Sequence, residues 1–67
     1  MTSMGDVLAQ TIGIGEQIKV VERELRYRAR VYPKLIDRGS MTPQDADLNM
    51  RQMNAVLKTL KTLQVVG

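Results

Sequence analysis

The chain has 67 residues, ten of them Lys or Arg and seven Asp or Glu, which gives a net charge of +3 at pH 7. It contains no cysteine and no histidine, which excludes disulfides, thiolate metal sites and the commonest general base near neutral pH. With neither Phe nor Trp, any core must be built from Ile, Val, Leu and five Met.

A first helix is predicted over about residues 4–31, because apolar side chains recur there in alternating steps of three and four. Gly13 and Gly15 form a weak point at 13–15, since each glycine costs about 1 kcal/mol relative to alanine in a helix interior. A break or bend is a possible outcome there. Pro33 lacks a backbone N–H and disfavours helical geometry at the residue before it, which predicts that the helix ends or kinks near this proline.

A turn over about 32–41 and a second helix over about 43–63 follow from the next signals. Gly39 suits a left-handed helix stop. Thr42 is a candidate N-cap, Pro43 fits the first helical position, and the Asp45 carboxylate is placed to reach back to the cap. The sequence therefore predicts one all-α domain over 1–67, folded as a two-helix antiparallel hairpin in which Leu25 lies near Ala55.

A chain this short buries little surface by itself and needs a staple, a metal or a partner chain. Since it has no cysteine or histidine, we expect a second copy of the chain, in a homodimer with a four-helix arrangement. An apolar N-terminal arm would contact the other subunit, the alternative being a frayed terminus. The residues predicted to form the core or the dimer contact are Val7, Leu8, Ile12, Ile14, Ile18, Val21, Leu25, Met53, Val56, Leu57, Leu60 and Leu63.

A basic stripe is predicted on the outward side of the first helix. With Ile18 turned inward, a step of about 100° per residue exposes one line of cationic side chains beside a tyrosine. Arg and Tyr are enriched at binding hot spots, so these side chains are predicted to bind a partner. They are Lys19, Arg23, Arg26, Tyr27 and Arg30.

The alternative for this stripe is a solvated helix face whose arginines pair with glutamates four residues earlier, Glu22 with Arg26 and Glu24 with Arg28. Arg28 occupies a position in the apolar seam, where it could extend past the core to solvent or pair with Asp47 near the turn. We favour the pair with Asp47.

Catalysis is not expected from this composition. Ser3 and Ser40 have no histidine to activate them, and Gly13-Ile14-Gly15 is not followed by the Lys-Ser/Thr pair of a phosphate loop. The sequence predicts no enzyme activity, no cofactor and no metal. No apolar run approaches the roughly 20 residues of a membrane span, and no secretory signal is evident, so the expected location is the cytoplasm.

The stretch 21–33, which reads VERELRYRARVYP and is followed by Gly39, Met41 and Thr42, resembles small two-helix early proteins of temperate phages and prophages of proteobacteria. The resemblance covers about residues 16–60. One branch of that group looks like homodimeric proteins that bind host regulators, including a quorum-sensing activator of the LuxR type. The resemblance implies a noncatalytic inhibitor of a host regulatory or defence protein, active in the bacterial cytoplasm.

Two other functions stay open. Direct binding of DNA or RNA would use Arg23, Arg26, Arg28 and Arg30, although glutamates alternate with these arginines and the total charge is small for this role. A structural component of phage assembly is the other, and it predicts oligomers larger than a dimer.

Overall fold

The computed structural model of the chain describes residues 12–66. They form two helices, α1 over Ile14–Asp37 and α2 over Pro43–Val66, which pack side by side. No strand occurs between residues 12 and 66. The prediction of an all-α helical hairpin is thereby confirmed.

The start of α1 lies at the predicted weak point. Gly13 is extended, with φ −74° and ψ 166°, and stands as the N-cap, so the backbone is not helical there. Its carbonyl accepts the first helical hydrogen bond from the Gln17 N–H at 3.1 Å. A helix that continues through Gly13 is therefore not present, and the predicted helical residues 4–11 lie outside the described part of the chain. Gly15 is helical and its Cα lies beside the Gln64 side chain.

The prediction that the first helix stops near residue 31 is wrong. The helix continues through Pro33 to Asp37. Pro33 and Ala29 are both exposed, so the Ala29 carbonyl that loses its helical donor can bind water instead. Leu35 and Ile36 beyond the proline are half-buried, and their packing stabilises the last turn despite the missing hydrogen bond.

The turn between the helices has the predicted caps. Gly39 has φ +77°, the Ser40 N–H donates to the Leu35 carbonyl at 2.9 Å, and the Gly39 N–H donates to the Ile36 carbonyl at 3.0 Å. These two bonds form a Schellman motif. At the start of α2 the Thr42 hydroxyl accepts from the Asp45 N–H at 3.1 Å, which confirms the N-cap. No return bond from the Asp45 carboxylate is present among the described residues.

Gly39→Ala is expected to lower the free energy of unfolding by about 1–2 kcal/mol, because a Cβ is unfavourable at positive φ. An added Cβ would contact nothing within 4 Å, so the loss would come from the backbone alone. Gly13→Ala is the comparison: its φ suits any residue and its surroundings are equally open, so the loss of stability should be smaller and limited to the weaker preference for alanine at a helix N-cap. Urea unfolding followed by circular dichroism measures both, and equal losses would contradict the turn geometry.

The contact between the helices is thin. Among the described residues only Ile18 and Ala46 are buried, at 6% and 7% exposure. The half-buried members of the predicted core are Ile14, Val21, Leu25, Met53, Leu57 and Leu60. Ile12, Val56 and Leu63 are between 43% and 54% exposed, so they are not part of a core within one hairpin. Their role in a dimer stays a prediction, and Val7 and Leu8 lie outside the described residues.

The register of the hairpin agrees with the predicted pairing to within one helical turn. A Cβ on Gly15 would lie 3.4 Å from Gln64 Nε2, and Lys61 Nζ lies 3.6 Å from Glu22 Oε2. The start of α1 therefore lies beside the end of α2.

Candidate protein-binding surface

The predicted basic stripe lies on the exposed side of α1. Lys19, Arg23, Arg26, Tyr27 and Arg30 are all exposed, with Tyr27 at 53%. Their position follows from the burial of Ile18, which turns the opposite side of the helix to solvent. The periodicity of the sequence is sufficient to place them there.

Four of the five residues line one concavity. It has a volume of about 500 Å³ and is bounded by Arg23, Glu24, Arg26, Tyr27 and Arg30. Lys19 is on the same stripe but does not line this concavity. We call the concavity the arginine groove. It brings three guanidinium groups and one phenol together along two turns of helix.

The cations of the stripe carry no ion pair to any described carboxylate within 4.0 Å. The ion pairs between residues 12 and 66 are Arg28–Glu24, Arg51–Asp47 and Lys61–Glu22. Glu22 thus pairs across the hairpin with Lys61 and not with Arg26, the alternative that the spacing allowed. The charges on Arg23, Arg26 and Arg30 are therefore available to a partner.

The expected ion pair between Arg28 and Asp47 is wrong. Its Nη1 lies 2.8 Å from Glu24 Oε2 on the same helix, and its side chain is 28% exposed. Asp47 instead pairs with Arg51, one turn further along α2, at 2.9 Å. Glu24 and Asp47 each pair with a cation four residues later in the sequence. Side chains at this spacing are neighbours on the surface of one helix. Arg28 is thus half-buried and neutralised, outside the arginine groove.

The sequence prediction missed a second concavity, on α2. It has a volume of about 380 Å³ and is lined by Leu57, Lys58, Lys61, Thr62 and Val65. Lys61 is held toward α1 by its contact with Glu22. The sequence contained a signal for the contact between Lys61 and Glu22. The predicted pairing places Glu22 opposite Lys58, which is one turn or less from Lys61.

Within residues 12–66, no cluster of three or more His, Cys, Asp or Glu side chains could hold a metal ion. Neither described helix has the length and apolar character needed to cross a membrane. The fold and the surface together define a small helical hairpin with an exposed arginine groove. Comparisons with known proteins found no matching family model, no similar curated protein and no similar solved structure.

Proposed function

We propose that this chain is a noncatalytic adaptor, encoded by a phage or prophage, that binds and inhibits a host regulatory or defence protein in the bacterial cytoplasm as a homodimer. The observation that carries the proposal is the arginine groove, with its three exposed arginines unpaired among the described residues and Tyr27 beside them. The phage origin rests on the resemblance of residues 21–33 and the turn that follows.

The chemistry of the groove favours an acidic protein surface as the partner. A guanidinium group can donate two parallel hydrogen bonds to one carboxylate, and tyrosine adds a rigid apolar ring with a polar tip. Glu24 also lines the groove, with its carboxylate held by Arg28. Opposite charge on the partner would accelerate association, and a dimer would present the groove twice.

The test begins with capture of host proteins by the native chain and by Arg26→Glu/Arg30→Glu, followed by affinity measurements with the captured protein in purified form. We expect the double variant to weaken binding by at least about tenfold, because charge reversal places carboxylates against an acidic partner. Arg51→Glu/Lys58→Glu on α2 is the control, since it changes the net charge equally at exposed positions away from the groove. Equal affinity for native chain and groove variant would refute the arginine groove as the contact.

Nucleic acid is the second candidate partner, and the exposed unpaired arginines are the observation that favours it. Against it, Glu22 and Glu24 alternate with the arginines along α1, and a net charge of +3 is small for a protein that binds nucleic acid. A gel-shift titration at two salt concentrations separates the two functions. Binding that falls steeply with salt would support nucleic acid, because phosphate contacts release counterions. Particles larger than a dimer would instead favour a component of phage assembly.

A further inference from the structure

The charged side chains of α2 that follow Asp47 lie along one side of the helix. From Leu48 to Val66 they are Arg51, Lys58 and Lys61. At 3.6 residues per turn, these three fall within an arc of about 80°. Lys61 extends this charged side onto α1 through its contact with Glu22.

The side of α2 that is centred about 120° around the helix from these cations carries no charge between Leu48 and Val66. We call it the uncharged face, formed by Leu48, Gln52, Ala55, Val56, Thr59 and Leu63. All six residues are exposed, and the large apolar ones, Leu48, Val56 and Leu63, are 46%, 48% and 54% exposed. Several large apolar side chains exposed on one side of a helix favour an interaction site over scattered exposure.

The edge of α1 that lies beside the uncharged face is also mainly apolar and has no net charge. Because Glu22 and Lys61 join the helices along the charged side, the uncharged face borders the other edge of α1. That edge contributes Val21, Val31 and Leu35, all half-buried. Its two charged residues, Glu24 and Arg28, neutralise each other at 2.8 Å. The hairpin therefore has one charged, mainly basic side and one side without net charge.

We propose that the uncharged face is the surface on which a second copy of this chain docks. A two-fold dimer places one surface against the same surface of its partner. The basic side would then meet like charges, whereas the uncharged face meets no repulsion. The second copy also supplies burial that the hairpin lacks, since only Ile18 and Ala46 are buried among the described residues.

This inference deepens the proposed function, because it assigns the contact through which the proposed homodimer forms. Thr59 lies near the middle of the uncharged face and is small enough for two helices to approach closely, with Leu48, Val56 and Leu63 around it. Glu24 is the one groove residue on the edge of α1 beside the uncharged face. In such a dimer the three arginines and Tyr27 of the groove stay exposed, so partner binding and self-association use different residues of the hairpin.

Sedimentation equilibrium of the full chain tests the proposal. We expect the native chain to show twice its mass of 7.5 kDa, and Val56→Glu to weaken the dimer at least about 100-fold, because it brings carboxylates into the contact. Asn54→Glu is the matched control, two residues away, exposed and on the charged side of α2. It introduces the same side chain and should leave the dimer intact, as glutamate is favourable in a helix.

A second measurement covers the outcome in which Val56→Glu does not fold. The chain has no cysteine, so a single introduced thiol reports contact between two copies without background. Thr59→Cys should form a disulfide-linked dimer under mild oxidation, and Asn54→Cys should not, because one thiol lies in the contact and the other points away.

A monomeric native chain at millimolar concentration would overturn the inference. So would equal dimerisation of folded Val56→Glu and native chain, or equal cross-linking at positions 54 and 59. The failure of the groove as the partner contact is a separate result, because it would be seen as unchanged partner binding by Arg26→Glu/Arg30→Glu, whatever the mass of the free chain.

Discussion

Ile18→Ala is expected to lower the free energy of unfolding by about 2–4 kcal/mol. Ile18 is the most buried residue that the structure describes, at 6% exposure, and alanine would remove three carbons and leave a cavity between the helices. A domain of this size rarely has more than about 3–5 kcal/mol of stability in total. The variant should therefore lose much of its helical signal at room temperature.

Urea unfolding followed by circular dichroism measures this effect at a fixed chain concentration, because a dimer would unfold in a concentration-dependent way. Ile18→Val should cost about 1 kcal/mol, since it removes one methyl group. Val20→Ala is the control on the same helix, where the side chain is 41% exposed and should matter much less. Similar losses of unfolding free energy at positions 18 and 20 would contradict the observation that α1 turns Ile18 inward and Val20 outward.

Pro33→Ala is expected to raise the free energy of unfolding by about 1–2 kcal/mol. Proline is about 3 kcal/mol less favourable than alanine in a helix interior, and replacing it restores a hydrogen bond to the Ala29 carbonyl. About 1 kcal/mol is lost in return, because alanine makes the unfolded chain more flexible. The gain requires that α1 continue through position 33, as it does in this structure.

Pro43→Ala provides the comparison for this prediction. Pro43 is the first residue of α2, where the missing N–H has no helical partner in any case. We expect no gain in stability at position 43. The unfolding midpoints of both variants in urea measure the difference, and a loss of stability for Pro33→Ala would indicate that the proline marks the end of the helix.

The location of the arginine groove could be predicted from the residues themselves. Once Ile18 is placed inward, the helical repeat alone turns Arg23, Arg26 and Arg30 outward. The absence of competing ion pairs could not be predicted, because Glu22 has Arg26 one turn away on its own helix. Only the packing of α2 against α1 brings Lys61 to within 3.6 Å of Glu22 and leaves Arg26 free of that contact.

Local signals were sufficient for the turn and for the start of α2. The positive φ of Gly39 and the cap bond of Thr42 each depend on a few adjacent residues, and such short-range geometry is readable in the sequence. The path of the chain at Pro33 depended on packing instead. The proline disfavours the helix locally, whereas the burial of Leu35 and Ile36 stabilises it. That burial exists only once α2 packs against α1, so a local signal could not predict it.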